Sequence, residues 1–416
     1  MEQSRLGEER LHRFLARAAA GEELTVGFFG GSITQGCLAS RDELCYARRF
    51  FDLLSARFPE ARLHYVNGSI GGTGSHFGAM RLWNDLLMYR PDLVIVDFSV
   101  NDAEAVLPLY EDNDGKARGG TDWHRGAEDA PAASGSDGAM KIYPETFEAV
   151  LRGILRAGTS PAVIVLNNVF YDTGVSTEEE HNAVASHYGV PHVSVRDTIL
   201  PRIKNGEFTR EDLSADGLHP NDRGHELIAE ELMKLVGSIA EQAENDPEDE
   251  ATGDLLRLDG ASAADLHGEL PAPLTDNTYE GIGYFTIANC VPELEGFRAD
   301  SEEKKGHLDC FRNGWIGCRE GDRLRITLSG ADLAVVYRKT IRRPSPVAEL
   351  VLDGDLAHPV TLDGNFDQDW GDCLFLQPIL HHGRDGKHSI EITIVRATPQ
   401  DRAPFYLLAF GASSAG

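Results

Sequence analysis

The sequence predicts an α/β domain on a parallel sheet, followed by an all-β, jelly-roll-like sandwich. Three observations carry this. Short apolar runs alternate with helical periods from residue 24 to about 240, an acidic stretch without Lys or Arg follows, and beyond it apolar residues recur with period two.

In chain order, Leu11, Leu15 and Ala18 set a first helical stripe, and apolar runs at 24–29, 63–67, 93–99, 162–167 and 192–194 read as strands. Between them Leu44, Ala47, Phe51, Leu54 and Phe58 step by three and four, and Ile228, Leu232, Leu235 and Ile239 repeat that step. Thr177 with Glu180 three residues on predicts a capping box opening a helix that runs to Tyr188. Alternating strands and helices imply a parallel sheet covered on both faces, with ligands at the carboxyl ends of its strands. Residues 109–140 break the rhythm, being rich in Gly, Asp and Ala without a period. Such a loop reads either as a lid or substrate wall carrying Trp123, His124 and Arg125 or as a mobile surface insertion.

Ser238 to Asp254 holds seven acidic residues and no basic one, which marks a boundary. The expected division is therefore a catalytic domain over 1–240, a linker over 241–260 and a β-sandwich over 261–416. In the last part Leu324, Ile326 and Leu328, then Leu333, Val335 and Tyr337, then Ile390, Ile392 and Ile394 alternate, with turns at Gly330, Asp353-Gly354 and 383–386. Trp315 and Trp370 are expected to serve core packing or domain docking more than sugar stacking. His381-His382 has no third ligand at a recognisable spacing, so the pair reads as a solvated turn and no metal or other cofactor is expected.

With 39 basic against 67 acidic residues and a net charge of -28, the chain is a poor partner for nucleic acid or an anionic membrane. The first residues lack the apolar stretch of a signal peptide and no run is long enough to span a membrane, so a cytoplasmic location is expected. Six cysteines (37, 45, 290, 310, 318, 373) show no metal-ligand spacing and read as reduced thiols. Homo-oligomerisation is left open.

Four blocks carry the chemistry. Gly30-Gly31-Ser32-Ile33-Thr34 ends the first strand, Asn67-Gly68-Ser69-Ile70-Gly71-Gly72-Thr73 the second and Ser99-Val100-Asn101-Asp102 the third, while Asp216-Gly217-Leu218-His219 precedes the last helix. A histidine can take a proton from a serine hydroxyl if a carboxylate fixes its ring and tautomer, and Asp216 stands three residues before His219. Singly, each block is ordinary turn punctuation. Together and in this order they resemble the SGNH (GDSL-type) hydrolase family over residues 24 to about 240. There is no Gly-x-Ser-x-Gly elbow, which argues against an α/β-hydrolase.

The resemblance implies a flavodoxin-like three-layer fold. It further implies Ser32 as nucleophile, His219 as general base, Asp216 as its orienter, and an oxyanion hole made by the Ser32 and Gly72 N–H groups and the Asn101 side chain. Gly31 stands where the family usually has Asp, a variation found in members reading Gly-Gly-Ser-Ile-Thr, and it is expected to border the substrate. Ser99 stands where the family usually has Gly, which places a side chain where a ligand could otherwise approach the backbone near Asn101. The implied activity is a serine carboxyl-ester hydrolase, removing O-acetyl groups from sugars or oligosaccharides through an acyl-serine intermediate. The alternatives are a short-chain or aryl esterase, lipase or thioesterase of the same mechanism, and a non-catalytic carbohydrate-binding protein on the same core.

Overall fold

The computed structural model describes residues 6–106, 110–111, 117–118, 135–245 and 270–413. The chain divides into two units, Met1–Ala103 with Thr146–Asn277 and Glu104–Glu145 with Thr278–Gly416. Trp123, His124 and Arg125, and most of the acidic stretch, lie outside the described residues.

The N-terminal elements are α1 (Leu6–Ala19), β1 (Glu23–Gly30), the one-turn α2 (Ser32–Gln35), α3 (Tyr46–Arg57), β2 (Arg62–Asn67), α4 (Ser75–Asp85), β3 (Leu93–Asp97) and α5 (Ser99–Val106). A hairpin, β4 (Tyr110–Glu111) and β5 (Ala117–Arg118), precedes α6 (Gly135–Leu155), β6 (Ala162–Asn167), α7 (Glu178–His187) and β7 (His192–Ser194). Three short helices, α8 (Val195–Thr198), α9 (Leu200–Lys204) and α10 (Arg210–Leu213), lead to the long α11 (Asp222–Asn245).

Five strands form a sheet in the order β2-β1-β3-β6-β7, and every pair is parallel. Alternation of side chains across each strand feeds two cores. Leu24, Val26, Phe28, Leu93, Ile95, Ile164 and Leu166 face one side, where Leu11 and Phe14 of α1, Phe50 and Leu54 of α3, and Ile228 and Leu232 of α11 cover them. Phe29, Val94, Val96, Val163 and Val165 face the other, under Leu82 of α4, Phe147, Val150 and Ile154 of α6, and Val184 of α7. Each such fully buried aliphatic or aromatic side chain contributes roughly 1.5–3 kcal/mol, and β3 and β6 are buried on both faces while the edge strand β2 exposes Arg62 and His64. This is the flavodoxin-like order, and its open edge for chemistry is the carboxyl end of the strands.

Two local expectations are corrected. The strand expected over 93–99 stops at Asp97, because Ser99 opens α5 and the Asp102 N–H already bonds to Phe98 O at 2.9 Å. The capping box at Thr177 does not form: its hydroxyl donates to Ser99 O at 3.1 Å and accepts no N–H of α7. The hydroxyl is oriented by its tertiary acceptor and not by the local N–H donors of the helix.

The second unit carries β8 (Gly283–Phe285), β9 (Glu293–Glu295), β10 (Arg298–Ala299), β11 (Trp315–Gly317), β12 (Arg323–Gly330), β13 (Asp332–Lys339), β14 (Val347–Leu352), β15 (Val360–Asp363), β16 (Cys373–Leu380), β17 (Gly386–Arg396) and β18 (Phe405–Ser413). They form two antiparallel sheets, one ordered β10-β11-β18-β13-β16 with β8 added to β18, the other β15-β14-β17-β12-β9. The inward sets Leu324, Leu350, Ile390 and Ile392 of one and Val335, Tyr337, Phe375 and Leu407 of the other share one core. Trp315 is packed in that core, whereas Trp370 is 53% exposed against Phe366, so core packing holds for the first only. Asp353 and Gly354 both take positive φ in the turn after β14, which the Asp355 N–H closes on Leu352 O at 2.9 Å. All six cysteines are free thiols, and among the described residues no helix is long and apolar enough to cross a membrane.

At the carboxyl end of the parallel sheet, Asp97 is buried with its Oδ2 accepting from Thr34 Oγ1 at 3.0 Å and Asn168 Nδ2 at 2.8 Å. Burial pushes its carboxyl up to about 6 despite these donors. The folded value exceeds the unfolded one, so the contribution to stability is complete below about pH 4 and is lost as pH rises through about 6. At neutral pH the loss amounts to about 3 kcal/mol at most. Asp97→Asn, which keeps an acceptor for both donors, should therefore show a smaller fall in Tm between pH 5 and 7.5 than the wild-type chain. Equal slopes in parallel thermal melts would refute the assignment.

Candidate active site

Ser32 owes its position to the glycines around it. β1 ends in Gly30-Gly31, Ser32 opens α2, and Gly36 closes that single turn at φ 105 with its N–H bonded to the carbonyls of Ser32 and Ile33. A Cβ at Gly31 would overlap Asn101 Oδ1, so the glycine leaves room for the Asn101 amide beside the serine. The turn leaves Ser32 Oγ 2.8 Å from His219 Nε2, across 187 residues of sequence.

His219 sits in a loop pinned on both sides. Asp216 Oδ2 lies 2.7 Å from His219 Nδ1, while Asp216 Oδ1 accepts the N–H groups of His219 at 2.8 Å and Leu218 at 3.0 Å. Gly217 turns the loop at φ 79, and its carbonyl accepts the Tyr171 N–H at 2.7 Å. Asn221 Oδ1 then accepts from the N–H groups of Arg223 and Gly224 and starts α11. Burial raises the Asp216 carboxyl, but the bonds from His219 and the loop N–H groups outweigh it and hold it well below the usual carboxylate range. Burial likewise lowers His219, yet the Asp216 bond and a smaller contribution from the Cys37 thiol raise it above the ordinary histidine range.

Two further segments border the serine. The Gly71 N–H donates to Gln35 Oε1 at 2.6 Å, and a Cβ at Gly71 would lie 3.4 Å from Ser32 Cβ, so this loop runs directly beside the hydroxyl. Gly72 follows at φ 68. Buried Arg81 ties the same loop to β1 by donating to Gly68 O and, at 3.1 Å, to Gly30 O, with its guanidinium 4.4 Å over the Phe29 ring. Asn101 belongs to the first turn of α5, and the residue after it anchors that turn. Asp102 is fully buried, accepts the Ser75 N–H at 2.7 Å and lies 3.1 Å from His181 Nε2, whose ring stacks on Phe147 at 3.7 Å. Ser99 does not face the ligand side as expected: it is buried, and its hydroxyl donates to Asn168 O at 2.7 Å.

The structure thus brings together Gly31, Ser32, Gly72, Asn101, Asp216 and His219. Three supports went unread in the sequence. Thr34 links Tyr46 and Asp97 beneath α2, its only sequence signal being its place in the glycine-serine block. His225 bonds to the Tyr46 N–H and lies 3.2 Å from Cys37 O, and burial lowers it to about 4, so it stays neutral while holding the Cys37 segment. Asn168 joins Asp97 to Ser99. Such an arrangement can pass a proton from a hydroxyl to a carboxylate-oriented imidazole and offer N–H donors to an oxygen that becomes negative.

A family model for the GDSL-like lipase/acylhydrolase family matches residues 28–227. No curated protein matches the sequence significantly. Among solved structures, a two-domain esterase active on acetylated mannans, co-crystallised with mannopentaose, is 34% identical over 97% of this chain and 94% of its own, with a TM-score of 0.81. A second structure of a two-domain esterase active on acetylated mannans is 35% identical over 97% and 95%, with a TM-score of 0.80. With this identity along nearly the whole of both chains, and with the family's blocks assembled around Ser32, the chain belongs to the GDSL-like lipase/acylhydrolase family.

Proposed function

We propose that this esterase removes O-acetyl groups from mannan-type oligosaccharides, with Ser32 as nucleophile. The observation that carries the reading is the hydrogen-bonded chain from Ser32 Oγ through His219 to Asp216. The similarity to an esterase active on acetylated mannans supports the substrate class. Residues 1–240 supply the chemistry and 261–416 an accessory β-sandwich joined by 241–260.

In this mechanism Ser32 Oγ attacks the acetyl carbonyl carbon while Nε2 of neutral His219 takes its proton. The carbonyl oxygen becomes an oxyanion held by the N–H groups of Ser32 and Gly72 and by Asn101. Engagement of the Gly71 N–H by Gln35 favours Gly72 as the loop's donor. Collapse breaks the ester C–O bond, the imidazolium returns its proton to the sugar oxygen, and the deacetylated sugar leaves. Water then attacks the acetyl-Ser32 ester with His219 again as base, releasing acetate. Asp216 keeps the ring in the productive tautomer throughout.

Ser32→Ala and His219→Ala should each remove nearly all hydrolysis of p-nitrophenyl acetate from a folded protein, and the double variant should be little worse, as expected of groups acting as a unit. Near-wild-type turnover by folded Ser32→Ala would end the assignment. Activity should rise with pH as His219 loses its proton, and because Asp216 raises that titration, the acid limb should lie above about 6.5. In Asp216→Asn the residual activity should show this limb moved to lower pH; an unmoved limb in kcat/KM profiles would contradict the coupling.

Asn101→Ala should lower kcat by about 10²–10³ with little change in KM, the usual cost of one oxyanion donor. Gly31→Ala should lower kcat as well, since its methyl displaces the Asn101 amide. A change confined to KM in either variant would place Asn101 in ground-state binding. Acetate release from acetylated manno-oligosaccharides measured beside xylo-oligosaccharides tests the substrate class, and a preference for the latter would overturn it.

A further inference from the structure

His381 and His382 follow β16, and the sequence leaves them without a third ligand. The fold supplies one. Glu145 of α6, in the same unit, brings a carboxylate oxygen to them, and one ligand atom from each of the three residues lies within 4.8 Å of the other two. Glu145 Oε2 is 2.8 Å from His382 Nε2. The site is graded from inside to outside, with Glu145 buried, His381 half-buried and His382 more open.

The residues behind these three hold them in place. Glu145 Oε1 accepts the Thr278 N–H at 2.6 Å and its hydroxyl at 2.8 Å, which leaves Oε2 directed at His382. Asp332, fully buried, accepts the His382 N–H at 2.8 Å and lies 3.3 Å from His381 Nδ1, and Ser413 Oγ donates to its other oxygen at 3.0 Å. Tyr279 OH is 2.8 Å from His381 Nδ1 and its ring stacks on that imidazole. His382 itself takes φ 48, a left-handed conformation that a non-glycine residue keeps only where its surroundings hold it. A carboxylate behind the histidines and a fixed ring orientation are the supporting features of metal-binding imidazoles.

We propose that Glu145, His381 and His382 form a zinc site that ties Glu145 to the turn after β16 within the second unit. Two imidazole nitrogens and one carboxylate oxygen suit zinc, with water as the fourth ligand. Ligand atoms on a tetrahedral zinc stand about 3.3 Å apart, so closing the triangle needs side-chain movements of about 1.5 Å at most. Zinc would replace the Glu145–His382 hydrogen bond by two bonds to one ion, joining segments 237 residues apart.

The test uses the full-length chain without a histidine tag, stripped with chelator and dialysed against micromolar zinc chloride. Wild type should retain about one zinc per chain and melt at higher temperature with zinc than without, while Glu145→Gln and His382→Asn should both lose the ion and the shift. A wild-type chain that holds no zinc, or variants that hold as much as wild type, would overturn the proposal. If a variant fails to fold, cobalt(II) bound to wild type decides: intense visible bands of a tetrahedral nitrogen-oxygen site support it, and weak octahedral bands reject it.

Discussion

The contact between Ser32 Oγ and His219 Nε2, 2.8 Å long and spanning 187 residues, sets what the rest of the first unit must do. One end is fixed by a parallel strand ending in glycines and the other by a loop between α10 and α11, so the sheet, both helical layers and the loop must agree to within a fraction of an ångström. The molecule meets this with backbone more than with side chains. Gly30, Gly31, Gly36, Gly72, Gly74 and Gly217 each stand where a Cβ would collide or a positive φ is needed. The serine is thus held by close backbone approach, which leaves its hydroxyl free to turn towards the histidine.

Beneath this surface the polar groups form a second layer. Asp97, Thr34, Asn168, Ser99 and Tyr46 join the carboxyl ends of β1, β3 and β6 through hydrogen bonds in a buried setting. Asp102 does the same between α5, the start of α4 and α7. Buried polar networks stabilise little on balance, but an unmet partner is expensive, so they specify one arrangement of the strand ends. A site that needs donors from three separate loops benefits from that specificity.

Electrostatics divides the acidic residues into roles that composition cannot foresee. Asp216 is kept ionised by the donors of its own loop, whereas Asp97 is driven towards its neutral form by burial. His219 and His225 diverge likewise: the hydrogen bond with Asp216 outweighs burial at the first, whereas burial outweighs the Cys37 carbonyl and Asp222 at the second. Identical side chains are set to different protonation by what surrounds them.

What was legible in the sequence was local. Short apolar runs gave the strands at 162–167 and 192–194 to the residue and, in alternation with helical periods, the parallel sheet, while period-two patterns gave the two antiparallel sheets, because alternation within a half-buried strand is dictated by the pleat itself. The glycine-serine block and Asp216-x-x-His219 were legible because the parts of each lie within a few residues of one another. The capping box at Thr177 failed for the opposite reason: its hydroxyl had an acceptor on α5, 78 residues away, that no local rule contains. The same distance hid the burial of Ser99, the roles of Asp97 and His225, and the meeting of Glu145 with His381 and His382. Short-range order follows from the stereochemistry of the chain, but which distant groups share a hydrogen bond or an ion is decided by packing once the whole core has closed.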